Sequence, residues 1–97
     1  MFADLGYADA EERQTKLRLA YAINGVLARR RLTQAATAAS LGITQPKVSA
    51  LANYKLGGFS VERLMTFLTA LDQDVDIIIR SKRRSRLGGR ISVIAAP

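Results

Sequence analysis

The sequence predicts a mainly α-helical domain, a bundle of four helices followed by a C-terminal β-strand. Three observations predict it. Apolar residues recur at helical spacing before and after a central stretch. That stretch, residues 32–51 (LTQAATAASLGITQPKVSAL), holds two short helical patterns that meet across a three-residue break. Residues 74–80, DVDIIIR, then change to an alternation of two, rich in branched side chains.

Taken in order, residues 1–8 read as an N-terminal arm containing Leu5, Gly6 and Tyr7. A first helix is expected from Asp9 or Ala10 to Arg30. Leu19, Ile23, Val26 and Leu27 form its apolar stripe, widened by Leu17, Ala20 and Tyr21. Glu11 and Glu12 suit its positive end. Arg29, Arg30 and Arg31 close it, either complementing the dipole or reaching phosphate.

The second helix is expected from Gln34 to Leu41 and the third from Gln45 to about Tyr54. Thr33 and Thr44 stand where a hydroxyl can cap each one. Gly42 falls where a helix end needs a left-handed residue, and Pro46 falls in a first turn, where a missing N–H costs little. Residues 55–59, KLGGF, read as a loop whose paired glycines permit unusual backbone angles. Ser60 is the expected cap of a fourth helix reaching Asp72, with Val61, Leu64, Leu68 and Leu71 as its stripe. Met65 and Phe67 beside that stripe read as core and not as a cofactor box.

The strand at residues 74–80 offers Val75, Ile77 and Ile79 on one face, and its open edges need a partner. Two partners fit: the same strand of a second subunit, or the later run at residues 90–94, RISVI. The organisation is therefore an arm (1–8), a helical domain (9–73) and a strand with a basic tail (74–97), the last expected to dimerise. A chain this small often gains stability that way.

Composition narrows the function. The chain of 97 residues has no cysteine, which excludes disulfides and thiolate metal sites, and no histidine, the commonest general base and metal ligand. No Walker-type loop is present. Asp72, Asp74 and Asp76 are better read as surface polar residues than as a cation site. No enzyme activity, metal or cofactor is expected. No apolar run approaches the roughly 18 residues of a membrane span, and no signal segment opens the chain, so a cytoplasmic location is expected.

The net charge is +7 and unevenly placed. Asp4, Asp9, Glu11 and Glu12 make the start acidic. No acid occurs in residues 32–59, and Arg80, Lys82, Arg83, Arg84, Arg86 and Arg90 form a basic run. Such a surface favours a polyanion, most simply double-stranded DNA.

Within the central stretch, Ile43, Val48 and Leu51 turn one apolar side inward, and Ala38 is small where the helices cross. Gln45, Lys47, Ser49 and Asn53 then occupy the polar surface of the third helix, which can enter a major groove about 12 Å wide. In this pattern Gln34, Ala38, Gly42, Ile43, Val48 and Leu51 resemble the helix-turn-helix of the Xre/Cro family, the phage-repressor-like regulators. Thr37 departs from it, since that family usually carries Leu or another aliphatic there.

The resemblance implies a lambda-repressor-like bundle acting as a homodimeric, sequence-specific transcriptional repressor on a pseudo-palindromic operator. Gln45 is the first choice for base readout, because its amide can pair bidentately with adenine. Lys47 reads guanine or holds phosphate. Ser49 and Asn53 contact a base edge or the backbone, Gln34 and Thr44 position the protein, and Lys55 meets phosphate. Val75, Ile77 and Ile79 are the expected dimerisation residues.

A narrower resemblance spans about residues 5–80. It is carried by LGYADAEER, LGITQPKVSAL, KLGGFSVERL and FLTALDQDVDIIIR, which are similar to the HigA-type antitoxin subgroup. That similarity implies autoregulation and often a partner toxin, an mRNA-cleaving ribonuclease of the RelE-like kind. The alternative function is then a protein-interaction module that neutralises such a ribonuclease, with the acidic arm lying against it and DNA binding secondary.

Overall fold

The computed structural model describes residues 3–82, 84 and 87–95. Four helices follow one another: α1 (Ala3–Arg30), α2 (Gln34–Leu41), α3 (Gln45–Ala52) and α4 (Val61–Ala70). The long first helix of 28 residues, about 42 Å at 1.5 Å per residue, sets the 46 Å length of the molecule. It lies chiefly against α4, while α2 and α3 pack on each other and close the other side of the core. No helix of the described residues is long and apolar enough to cross a membrane.

The core is built from the expected stripes. Leu19, Ala20, Ile23 and Val26 of α1 meet Leu64, Phe67, Leu68 and Leu71, with Leu41 and Leu51 closing the α2–α3 side. Phe59 and Phe67 pack edge to face, 5.8 Å between ring centres, and the Arg63 guanidinium lies 5.4 Å from the Phe67 centroid. Leu17 and Tyr21, expected to widen the α1 stripe, instead face solvent. They stand outside the arc that α4 covers.

Thr37 is fully buried, at 1% exposure, and its hydroxyl has no hydrogen-bond partner among the described residues. The departure noted in the sequence therefore falls at an interior position, where burying a polar group carries a cost that an aliphatic side chain would not.

Three boundaries move, one of them the end of α4, at Ala70 and not Asp72. Helix α1 begins at Ala3, so residues 3–8 of the expected arm continue the helix. Helix α3 stops at Ala52, with Asn53 as its cap, and does not reach Tyr54.

All four helices close the same way. A residue two or three positions past each end donates its N–H to a carbonyl five residues back: Leu32 to Leu27 (3.1 Å), Ile43 to Ala38 (3.1 Å), Lys55 to Ala50 (2.8 Å) and Gln73 to Leu68 (2.9 Å). The residue before each of these donors is left-handed: Arg31 (φ 53), Gly42 (φ 68), Tyr54 (φ 59) and Asp72 (φ 62).

The expected C-terminal strand is not formed. Residues 74–80 belong to no strand, and among the described residues no strand occurs. The reason is physical, since an isolated extended segment has no ladder partner. Nor do residues 90–94 supply one. They return to α1, where the Ile91 N–H donates to a Glu11 carboxylate oxygen at 3.2 Å and Val93 packs against the core. Arg83 and Arg86 of the basic run lie outside the described residues.

Candidate nucleic-acid interface

The turn between α2 and α3 sets the geometry. Thr33 caps α2, its Oγ1 accepting from the Ala36 N–H at 3.1 Å. Gly42 ends the helix at φ 68, where an L side chain is disfavoured, and its N–H donates to the Ala38 carbonyl at 2.8 Å. The chain then turns at once into α3. Val48 and Leu51 are buried in the body of the protein, and Ile43 is half-buried beside them.

That packing fixes what α3 presents. Gln45, Pro46 and Lys47 are exposed on its first turn, and Ser49 is half-exposed one turn on. Gln34, on the first residue of α2, is exposed as well, so the first turns of both helices offer polar side chains.

Thr44 has the backbone of a capping residue (φ −78, ψ 158), but its side chain makes no capping hydrogen bond, against expectation. The Thr33 and Ser60 hydroxyls both cap their helices, Ser60 from the Arg63 N–H at 3.0 Å. The positive end of α3 is thus left without a side-chain acceptor, beside an available hydroxyl.

Asn53 is partly committed. Its Nδ2 donates to the Ser49 carbonyl at 2.9 Å, which leaves its side-chain carbonyl and one amide hydrogen for a ligand. Lys55 is exposed just beyond. Leu56 and Phe59 are buried, and the Phe59 N–H donates to the Leu56 carbonyl at 3.1 Å, so both ends of the loop are pinned to the core. Gly57 and Gly58 are exposed between them, and a β-carbon at either would meet nothing within 4 Å. Neither has a positive φ, so the unusual backbone angles expected of the pair are not used; without side chains the pair leaves the main chain open.

Sequence reasoning missed one residue that holds the site. Asn24, on α1, donates from Nδ2 to the Leu51 carbonyl at 3.2 Å and ties the end of α3 to the longest helix. Its signal was available: a short amide inside an apolar stripe must find a partner.

Val75, Ile77 and Ile79 stand apart from this face. Val75 packs against the core and Ile77 lies with it along a groove of α4 that also includes Met65. Ile77, Ile78 and Ile79 are 74%, 73% and 91% exposed, a continuous apolar stretch.

A family model described as "Helix-turn-helix domain" matches residues 1–80. A solved structure described as an XRE family transcriptional regulator is 76% identical in sequence, with a TM-score of 0.86. The match covers 91% of this chain and 99% of that one. Comparison with the curated proteins gives no match.

Proposed function

The chain belongs to the helix-turn-helix family of XRE-type transcriptional regulators, a DNA-binding and non-enzymatic class, and from that membership we propose that it is a homodimeric repressor of its own promoter. One observation carries the DNA reading. The first turn of α3 exposes Gln45 and Lys47 while Val48 and Leu51 anchor its opposite side in the core. Gln45 reads adenine, and Lys47 reads guanine or holds phosphate. Gln34, Thr44 and Lys55 hold the DNA backbone, while Ser49 and Asn53 contact a base edge or the backbone.

The dimer reading is supported by the exposed stretch of Ile77, Ile78 and Ile79. An apolar, extended segment with no ladder partner suits pairing with the same segment of a second copy, through Val75, Ile77 and Ile79. Two copies of α3 about 34 Å apart would then meet a pseudo-palindromic operator.

Neutralisation of a RelE-like ribonuclease is the second reading, drawn from the HigA-type resemblance. Two of the acids that would serve it have partners within the chain, while the side chains of Asp4 and Asp9 lie outside the described residues. Glu12 lies 3.7 Å from the Lys16 ammonium, and Glu11 accepts from Ile91. DNA binding is therefore the primary reading.

The test is a gel-shift titration at fixed salt against the DNA upstream of the gene, with unrelated DNA of equal length as competitor. A discrete shift that survives excess competitor is expected, weakening steeply as salt rises. Gln45→Ala should lose about 1–3 kcal/mol at one operator position. A shift erased equally by any DNA would sink specific recognition, and a ribonuclease-like neighbouring gene would then favour the second reading.

A further inference from the structure

Helix α3 ends on a residue in an uncommon state. Tyr54 has φ 59, a left-handed conformation that a bulky side chain adopts only at a cost, where α2 makes the same closure with Gly42. Asp72, which shares the conformation, has a short side chain that tolerates it and lies 3.8 Å from Arg30. Tyr54, like Arg31 at φ 53, takes the angle in closing its helix and has no short side chain to ease it. Its ring is not part of the apolar core, it is 39% exposed, and its hydroxyl has no partner among the described residues.

The surroundings hold the strained backbone from several sides, as a persistent outlier requires. The Lys55 N–H donates to the Ala50 carbonyl at 2.8 Å, the Asn24 amide holds the Leu51 carbonyl at 3.2 Å, and Leu56 is buried two residues on.

Position supplies the ligand. The eight residues of α3 span about 12 Å, close to the roughly 12 Å width of a major groove. With its first turn at the base edges, its far end reaches the phosphate wall of the groove. Tyr54 stands there between Asn53 and Lys55, in a stretch (32–59) without an acidic residue.

We infer that the Tyr54 hydroxyl donates a hydrogen bond to a DNA phosphate at the groove edge and so fixes how α3 seats. This rests on the DNA-binding reading above. A neutral phenol adds a donor without a charge, so it contributes affinity without sequence information and without counterion release.

The test uses the full chain and a duplex that the wild type enriches from a random-sequence pool. Tyr54→Phe and Tyr54→Gly are compared with the wild type for melting temperature, affinity at two salt concentrations, and affinity for single-base operator variants. Tyr54→Phe should melt as the wild type does and bind about tenfold more weakly, by the same factor on every operator variant and with an unchanged salt slope. Tyr54→Gly should melt higher and yet bind more weakly. Wild-type affinity in Tyr54→Phe would overturn the inference, as would a loss confined to one base position. If the wild type enriches no duplex at all, the DNA-binding reading falls and this inference falls with it.

Discussion

Helices α2 and α3 are built to one plan. Each is eight residues long, follows a threonine in capping geometry, and ends on a left-handed residue with the same hydrogen-bonded closure. They differ at every end. The Thr33 hydroxyl caps α2, and Gly42 closes it without strain. The Thr44 hydroxyl caps nothing, and Tyr54 closes α3 at φ 59. Similar plans thus give one helix that its threonine caps and a glycine closes, and one whose threonine makes no cap and whose closure falls on a tyrosine.

Four substitutions would break or sharpen that contrast. The largest effect should come from the side the two helices share, because both depend on the core. Leu51→Ala removes a fully buried side chain and should cost about 3 kcal/mol in urea unfolding. A loss below about 1 kcal/mol would mean that α3 is seated by its hydrogen bonds instead. Gly42→Ala comes next. A β-carbon there meets nothing within 4 Å, so the cost is conformational alone, about 1–2 kcal/mol. If the variant melts with the wild type, the turn is able to relax, and α2 is less tightly closed than its geometry indicates.

The smallest pair is the most direct. Thr33→Ala should lose about 1 kcal/mol of stability. Thr44→Ala should stay within about 0.5 kcal/mol and lose DNA affinity instead. Equal destabilisation by the two would erase the difference between the helices.

The same contrast marks what can be read from sequence. The span of α2 and the place of Gly42 were legible because the signals are local: a hydroxyl before the helix and a glycine after it. The buried stripes of α1 and α4 followed from periodicity. Thr33 and Thr44 could not be told apart, because packing around the turn decides which hydroxyl reaches an N–H. Tyr54 carried no signal, since a left-handed tyrosine is visible only in the backbone. Residues 74–80 have strand chemistry, but a strand is a property of a pair, and the described residues supply no second member. Leu17 and Tyr21 fit the helical period and still face outward, because the partner helix is narrower than the stripe the period allows. At the candidate interface, the exposure of Gln45 and Lys47 was legible from the polar side of α3, whereas the support from Asn24 was not, because it acts from another helix.

Three of the four helix ends finish on a left-handed residue other than glycine. Such a position holds up to about 1 kcal/mol in reserve relative to glycine, least at Asp72, whose short side chain tolerates the angle. Arg31 and Asp72 are exposed and separate from the first turn of α3. A protein engineer could therefore raise the melting point at those two ends without editing the first turn of α3. For natural variation the implication runs the other way. This sequence lies one substitution, at either end, from a sturdier neighbour, and the room above its present stability is ground on which otherwise costly changes to the reading surface can accumulate.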